Sequence, residues 1–272
     1  MKKIIIFIAT VLFAKNSLFF YAGAGQESYE QKYIFEFKNS FLSPYNNKLY
    51  LQNQQVALKS KAFILNPYSG FGINVDINKK SFYIFDFLST VGAGGHYVSE
   101  KYIDRGDGSV FYKDRLSISS VNLKMLYVYK LKPSHRVNIG FNYIFYKLKR
   151  KNVILNLPLK ELDSSVFLNA GYTFVKSRQK LKLKFALNGG FPVISDSYLD
   201  FSGREVKFSD VETFHFGTSF YLGYQPYKKF EYGLFAKYSY FYKDGSKKDD
   251  YTLSQSTVEE LLFGLKLSWN FK

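Results

Sequence analysis

Large apolar residues occupy every second position of the last stretch of the chain: Leu261, Phe263, Leu265, Leu267, Trp269 and Phe271. Gly264, Lys266, Ser268 and Asn270 fall between them, with Leu262 the one exception. Strict alternation predicts a strand whose two faces meet different solvents. A helix would gather Leu265 and Trp269 on the same side as Lys266 and Asn270, so the helical reading fails.

The same period recurs upstream in nine further segments. They run from Tyr29 to Phe37, down to Ile77, from Phe82 to about His96, from Ile118 to Leu131, and from Arg136 to Arg150. Ser165 to Lys176, Leu181 to Phe191, Thr213 to Tyr224 and Phe230 to Tyr242 complete the set. In the second, Phe71, Ile73, Val75 and Ile77 oppose Gly72, Asn74 and Asp76. In the first, Tyr29, Gln31, Tyr33, Phe35 and Phe37 oppose Lys32, Glu36 and Lys38. Connections alternate between long polar loops and tight turns such as Asn78-Lys79-Lys80 and Lys132-Pro133-Ser134-His135. Five of the six prolines fall in connections. Pro67 does not, and in a closed sheet it should mark a bulge or a strand start.

Ten short alternating strands, five long loops on one side and four tight turns on the other predict an all-β fold: a ten-stranded antiparallel up-and-down transmembrane β-barrel. Strands of about 9–11 residues suffice to cross a bilayer when tilted. A soluble sandwich would have to bury every apolar face in one core, and ten such broad faces would overfill it.

Composition sharpens this. Aromatic residues make up 20% of the chain, with 24 Tyr and 29 Phe, as girdles at two bilayer interfaces require. There is no Cys, which removes disulfides, thiol nucleophiles and thiolate metal sites. Lys2 and Lys3 precede the apolar run Ile4 to Ala14, and Ala22-Gly23-Ala24 offers small residues for cleavage. Residues 1–24 thus read as a signal peptide cut after Ala24, with the barrel over 25–272. The formal charge of +16 comes from lysines scattered by strand position, not from a nucleic-acid-binding patch.

The C-terminal stretch resembles the sorting signal of bacterial outer-membrane β-barrels through Gly264, Leu267, Trp269 and Phe271, with Lys272 one residue past the usual terminal aromatic. The resemblance implies export to the outer membrane of a Gram-negative bacterium and delivery by the outer-membrane assembly machinery. It also implies a monomer among membrane lipids, including lipopolysaccharide.

The alternation assigns Lys32, Glu36, Lys38, Asp76, Asp86, Lys124, Lys182, Lys184, Glu231, Lys237 and Lys266 to the lumen. Charges in a narrow barrel are expected to pair and fill it, because unpaired buried charge is costly. The strand count is similar to that of the omptin outer-membrane proteases, which carry an Asp pair and an Asp-His pair above the membrane. The candidates here are only His96 and His215, on opposite walls, with Asp210 near the second. No metal set or cofactor motif is present in the sequence. Arg105-Gly106-Asp107 lies in the second long loop and reads as a glycine-shaped turn.

Three classes of function stay open. A structural or surface-interaction barrel with a largely filled lumen is favoured, with a narrow passive pore and an outer-membrane hydrolase as alternatives; catalysis is the less favoured reading.

Overall fold

The computed structural model describes residues 16–37, 41–42, 49–50, 54–91, 98–104, 110–114, 116–150, 160–201, 203–248 and 251–271. Ten long strands form one closed antiparallel barrel. They are β1 (Asn16–Phe37), β2 (Gln54–Asp76), β3 (Ser81–Thr90), β4 (Leu116–Lys132), β5 (His135–Arg150), β6 (Lys160–Arg178), β7 (Leu181–Phe201), β8 (Thr213–Tyr227), β9 (Phe230–Lys243) and β10 (Gln255–Asn270). Each pairs with its neighbours in sequence, and β1 closes the ring against β10 from Ser17↔Asn270 to Lys32↔Gln255. Four tight turns lie at one end, and the longer connections lie at the other, the extracellular side by the rule for such barrels.

Residues Asn16 to Ala24 belong to this closure. They pair on one side with Val75 back to Pro67, and on the other Ser17 to Ala24 pair with Asn270 back to Phe263. A cut after Ala24 therefore falls inside β1. The small residues Ala22 to Ala24 serve the strand: Gly23 sits opposite Gly264, where an added Cβ would press on the Phe263 carbonyl at 2.2 Å.

Pro67 lies within β2 without any shift in the β1–β2 register. Its carbonyl accepts from the Val91 amide at 2.9 Å, so its missing N–H points to the side where β3 has already ended at Thr90. Neither a bulge nor a strand start is needed there. Pro192, expected in a loop, lies instead in β7 at the register shift opposite Val166/Phe167, a position a bulge permits.

The outer face around the barrel's lower and middle part is apolar and exposed: Phe20, Phe71, Met125, Ile139, Phe185, Leu222, Leu234 and Leu265 are among its members. Near the tight turns it becomes aromatic, with Tyr224 against Tyr232 and Phe230 against Trp269. β1 has 22 residues and β2 has 23, about twice what a bilayer crossing needs. The excess stands in water on the long-loop side. There the outer face carries ion pairs: Lys61–Glu30 at 2.9 Å and Lys207–Asp196 at 2.9 Å. The Asp196 carboxylate, by hydrogen bonding, holds the exposed Lys207 ammonium above its ordinary value. At the same level the inner face is apolar, with Tyr29, Ile64, Ile118, Tyr146, Phe167, Phe241 and Val258 in one buried cluster. The barrel is thus apolar-out where lipid surrounds it and apolar-in where water does, because the hydrophobic face always turns from whichever side is wet.

Candidate functional site

The bore is built in layers. Nearest the long loops, Lys243 of β9 is fully buried and pairs with two carboxylates of β6, Glu161 and Asp163, the latter at 2.8 Å. Ser197 of β7 donates to Asp163 at 2.6 Å. Gln31 of β1 donates its side-chain nitrogen to Glu161 at 3.0 Å and to Ser254, while Arg150 of β5 donates to the Gln31 carbonyl oxygen. β1 and β6 stand five strands apart in either direction, so this network runs from wall to wall. Lys243 meets two opposite charges, without which the burial of each ion would cost roughly several kcal/mol.

Below it the apolar cluster fills the lumen. His215 belongs to this layer. It is fully buried, its ring 5.6 Å from that of Phe167, and its Nε2 is 3.2 Å from the Ser239 hydroxyl. Beneath lies Glu27, which accepts from the Asn66 amide at 2.7 Å and from the Tyr68 hydroxyl, opposite Glu260 in the β1–β10 register. Tyr68, Leu88, Tyr221, Phe235 and Leu262 then form a second apolar floor. Leu262, the exception in the last stretch, is buried here and completes the seal.

Under that floor the bore opens into a cavity of about 160 Å³ that continues down to Ser17 and Asn270, at the tight-turn end. Lys124, Arg136, Lys182, Lys184 and Lys266 line it with Asp86 and Glu231, and Lys237 lines a neighbouring cavity of about 110 Å³ that shares Lys124, Lys184 and Lys266 with it. Lys182 pairs with Glu231 at 2.9 Å. Lys266 sits over the Phe19 ring, 3.9 Å from its centroid. Asp76 borders the mouth together with Arg136 and Lys130.

Eight residues assigned to the lumen by alternation therefore face it: Asp76, Asp86, Lys124, Lys182, Lys184, Glu231, Lys237 and Lys266. They do not form the expected network of pairs; Lys182–Glu231 is the one ion pair among them in the described residues. Lys32 is instead exposed on the outer face, beside the buried Gln31. It lies above the lipid, where the faces exchange roles. The Glu36 side chain, Lys38, His96, the Arg105–Asp107 turn and Lys272 lie outside the described residues. Asp210 is an exposed turn residue with φ of 56° and shares no hydrogen bond with His215 among the described residues. The assembly-signal residues Leu267, Trp269 and Phe271 are exposed, and Gly264 turns inward, where an added Cβ would lie 2.8 Å from the Phe235 ring.

Gln31, Glu161, Asp163, Arg150 and Lys243 were not assigned to the lumen from the sequence. The sixth segment, started at Ser165, stops short of two of them. Carrying the inward parity of Asn169, Phe167 and Ser165 back by two steps reaches Asp163 and Glu161.

No protein-family model and no curated sequence matches the chain. Among solved structures, the outer membrane protease OmpT from Escherichia coli aligns with a TM-score of 0.60 at 12% identity, over 94% of this chain and 97% of that one. The translocator domain of the autotransporter NalP from Neisseria meningitidis aligns at 0.43 and 10% identity, over 99% and 94%. The Ralstonia pickettii toluene transporter TbuX aligns at 0.33 and 10%, over 96% and 91%. The closed ring of ten strands and its exposed apolar belt share with OmpT the fold of an outer-membrane β-barrel.

Proposed function

We propose that this chain is a structural or surface-interaction barrel that acts from its extracellular rim and does not conduct through its bore. The observation that supports this is the wall-to-wall bond between Gln31 and Glu161 at 3.0 Å, set within a fully buried ionic network and backed by two apolar layers. A monomer surrounded by membrane lipids, including lipopolysaccharide, and placed by the assembly machinery is part of the same reading. The outward ion pairs Lys61–Glu30 and Lys207–Asp196 belong to a water-exposed collar offered to the outside. The hydrolase reading draws no support from His215, which is sealed from solvent and bonded to a serine hydroxyl that is itself buried.

Planar-bilayer recording on the purified, refolded chain tests this. The expected result is no stable conductance step. Steady ohmic steps in the wild-type protein would overturn it in favour of the narrow pore.

A further inference from the structure

The cavity beneath the apolar floor holds charge that the barrel itself does not balance. Five basic side chains, Lys124, Arg136, Lys182, Lys184 and Lys266, converge there on two carboxylates, Asp86 and Glu231, with Asp76 beside Arg136 at the mouth. Glu231 is already engaged by Lys182. Lys124 and Lys184 make no hydrogen bond or ion pair among the described residues. The Arg136 Nε is buried without a hydrogen-bond partner. Like charges gathered between low-dielectric walls repel strongly and focus a positive potential into the space they enclose. Lysines can relieve this by losing protons, but a guanidinium cannot, and its orphan donor still needs an acceptor.

We propose that this cavity is a binding site for a small tetrahedral oxyanion of the phosphate or sulfate class, taken up from the tight-turn, periplasmic side. The ion satisfies the converging ammonium groups and the Arg136 donor together. Asn188 and Ser219 on the cavity wall supply neutral partners for its remaining oxygens. The volume of about 160 Å³ admits such an ion with part of its hydration shell, a water needing only about 30 Å³. Access runs through the mouth lined by Ser17, Asn74 and Asn270, which is polar. The floor formed by Tyr68, Leu88, Tyr221, Phe235 and Leu262 blocks passage upward, so the ion enters and leaves by one door. A phosphate ester carried by a lipid headgroup offers the same chemistry, but its acyl chains would have to remain outside the mouth; the free ion is the occupant assigned here.

The test uses the full mature chain, folded in detergent in a chloride-free gluconate buffer. Inorganic phosphate and sulfate are titrated calorimetrically, with glycerol 3-phosphate as the headgroup arm. Saturable binding of the inorganic ion near one per barrel, weakened at least tenfold in Lys124→Gln/Lys184→Gln, is expected. Phosphate should also raise the wild-type unfolding temperature and leave that of the double variant unmoved. Without phosphate, the double variant should unfold at the same or a higher temperature than the wild type, since it removes repulsion. Absence of saturable binding by folded wild-type protein overturns the proposal, as does undiminished binding in the double variant. Binding of glycerol 3-phosphate but not the inorganic ions also overturns it and assigns the site to a headgroup. A double variant that fails to fold is replaced by the single Lys184→Gln, judged by the same affinity ratio.

Discussion

Gln31 of β1 donates to Glu161 of β6 at 3.0 Å although the two strands stand on opposite walls of the barrel. A single amide thus ties the bore shut, and it does so because Arg150 fixes its oxygen while Glu161 and Ser254 take its nitrogen. The ionic part of the same network depends on one cation, Lys243, serving two carboxylates.

Lys243→Met should therefore be severe. It leaves Glu161 and Asp163 buried with their main counter-ion gone, a change expected to cost about 3–5 kcal/mol. Adding Glu161→Gln and Asp163→Asn should recover most of that loss. Urea unfolding in lipid vesicles, followed by Trp269 fluorescence, checks both statements. Equal instability in the single and triple variants would contradict them.

The faces of this barrel were legible wherever lipid surrounds it. Asp86, Lys124, Lys184 and Lys266 fall inward as alternation assigns them, because an apolar outer face leaves no other place for charge. Lys32 shows where that logic stops. Its neighbours Tyr29 and Gln31 are buried while it is exposed, since above the bilayer the wet side is outside. Alternation reports which residues share a face; it does not report which face is wet. The partners of Gln31 were beyond reach for another reason: they come from strands up to half the ring away, and no local pattern relates them.

The same contrast predicts unequal costs on the outer surface. Ile139→Arg places a cation in the lipid belt and should destabilise the barrel by about 2–4 kcal/mol. Lys32→Ala, on the water-exposed collar, should stay within about 0.5 kcal/mol of wild type. Parallel urea titrations in the same vesicles decide it.

The β1 ladder makes a statement about processing. Removing residues up to Ala24 would strip Asn16 to Ala24 from contact with both β2 and β10 and open the seam that closes the ring. The folded protein from outer membranes should therefore retain Asn16 to Ala24, with its start at or before Asn16. Intact-mass measurement checks this, and a mature chain beginning at Gly25 would refute it.

Gly264 should tolerate no branched side chain. A Cβ there meets the Ala22 carbonyl oxygen at 2.3 Å, the Gly23 Cα at 2.8 Å and the Phe235 ring at 2.8 Å. Gly264→Val is expected to abolish the heat-modifiable folded band on a gel, whereas Ser268→Val, at the roomier cavity mouth, should keep it. Similar folded yields for the two would remove the steric explanation.

The arrangement of a sealed upper half over an open lower one has a consequence for the cell that carries it. On the non-conducting reading proposed above, the barrel is a blind well sunk from within, and it would add no leak through the envelope to detergents or antibiotics arriving from the environment. An ion held in that well, as proposed, would be exchanged with the cell's own interior compartments, out of reach of anything that touches the surface.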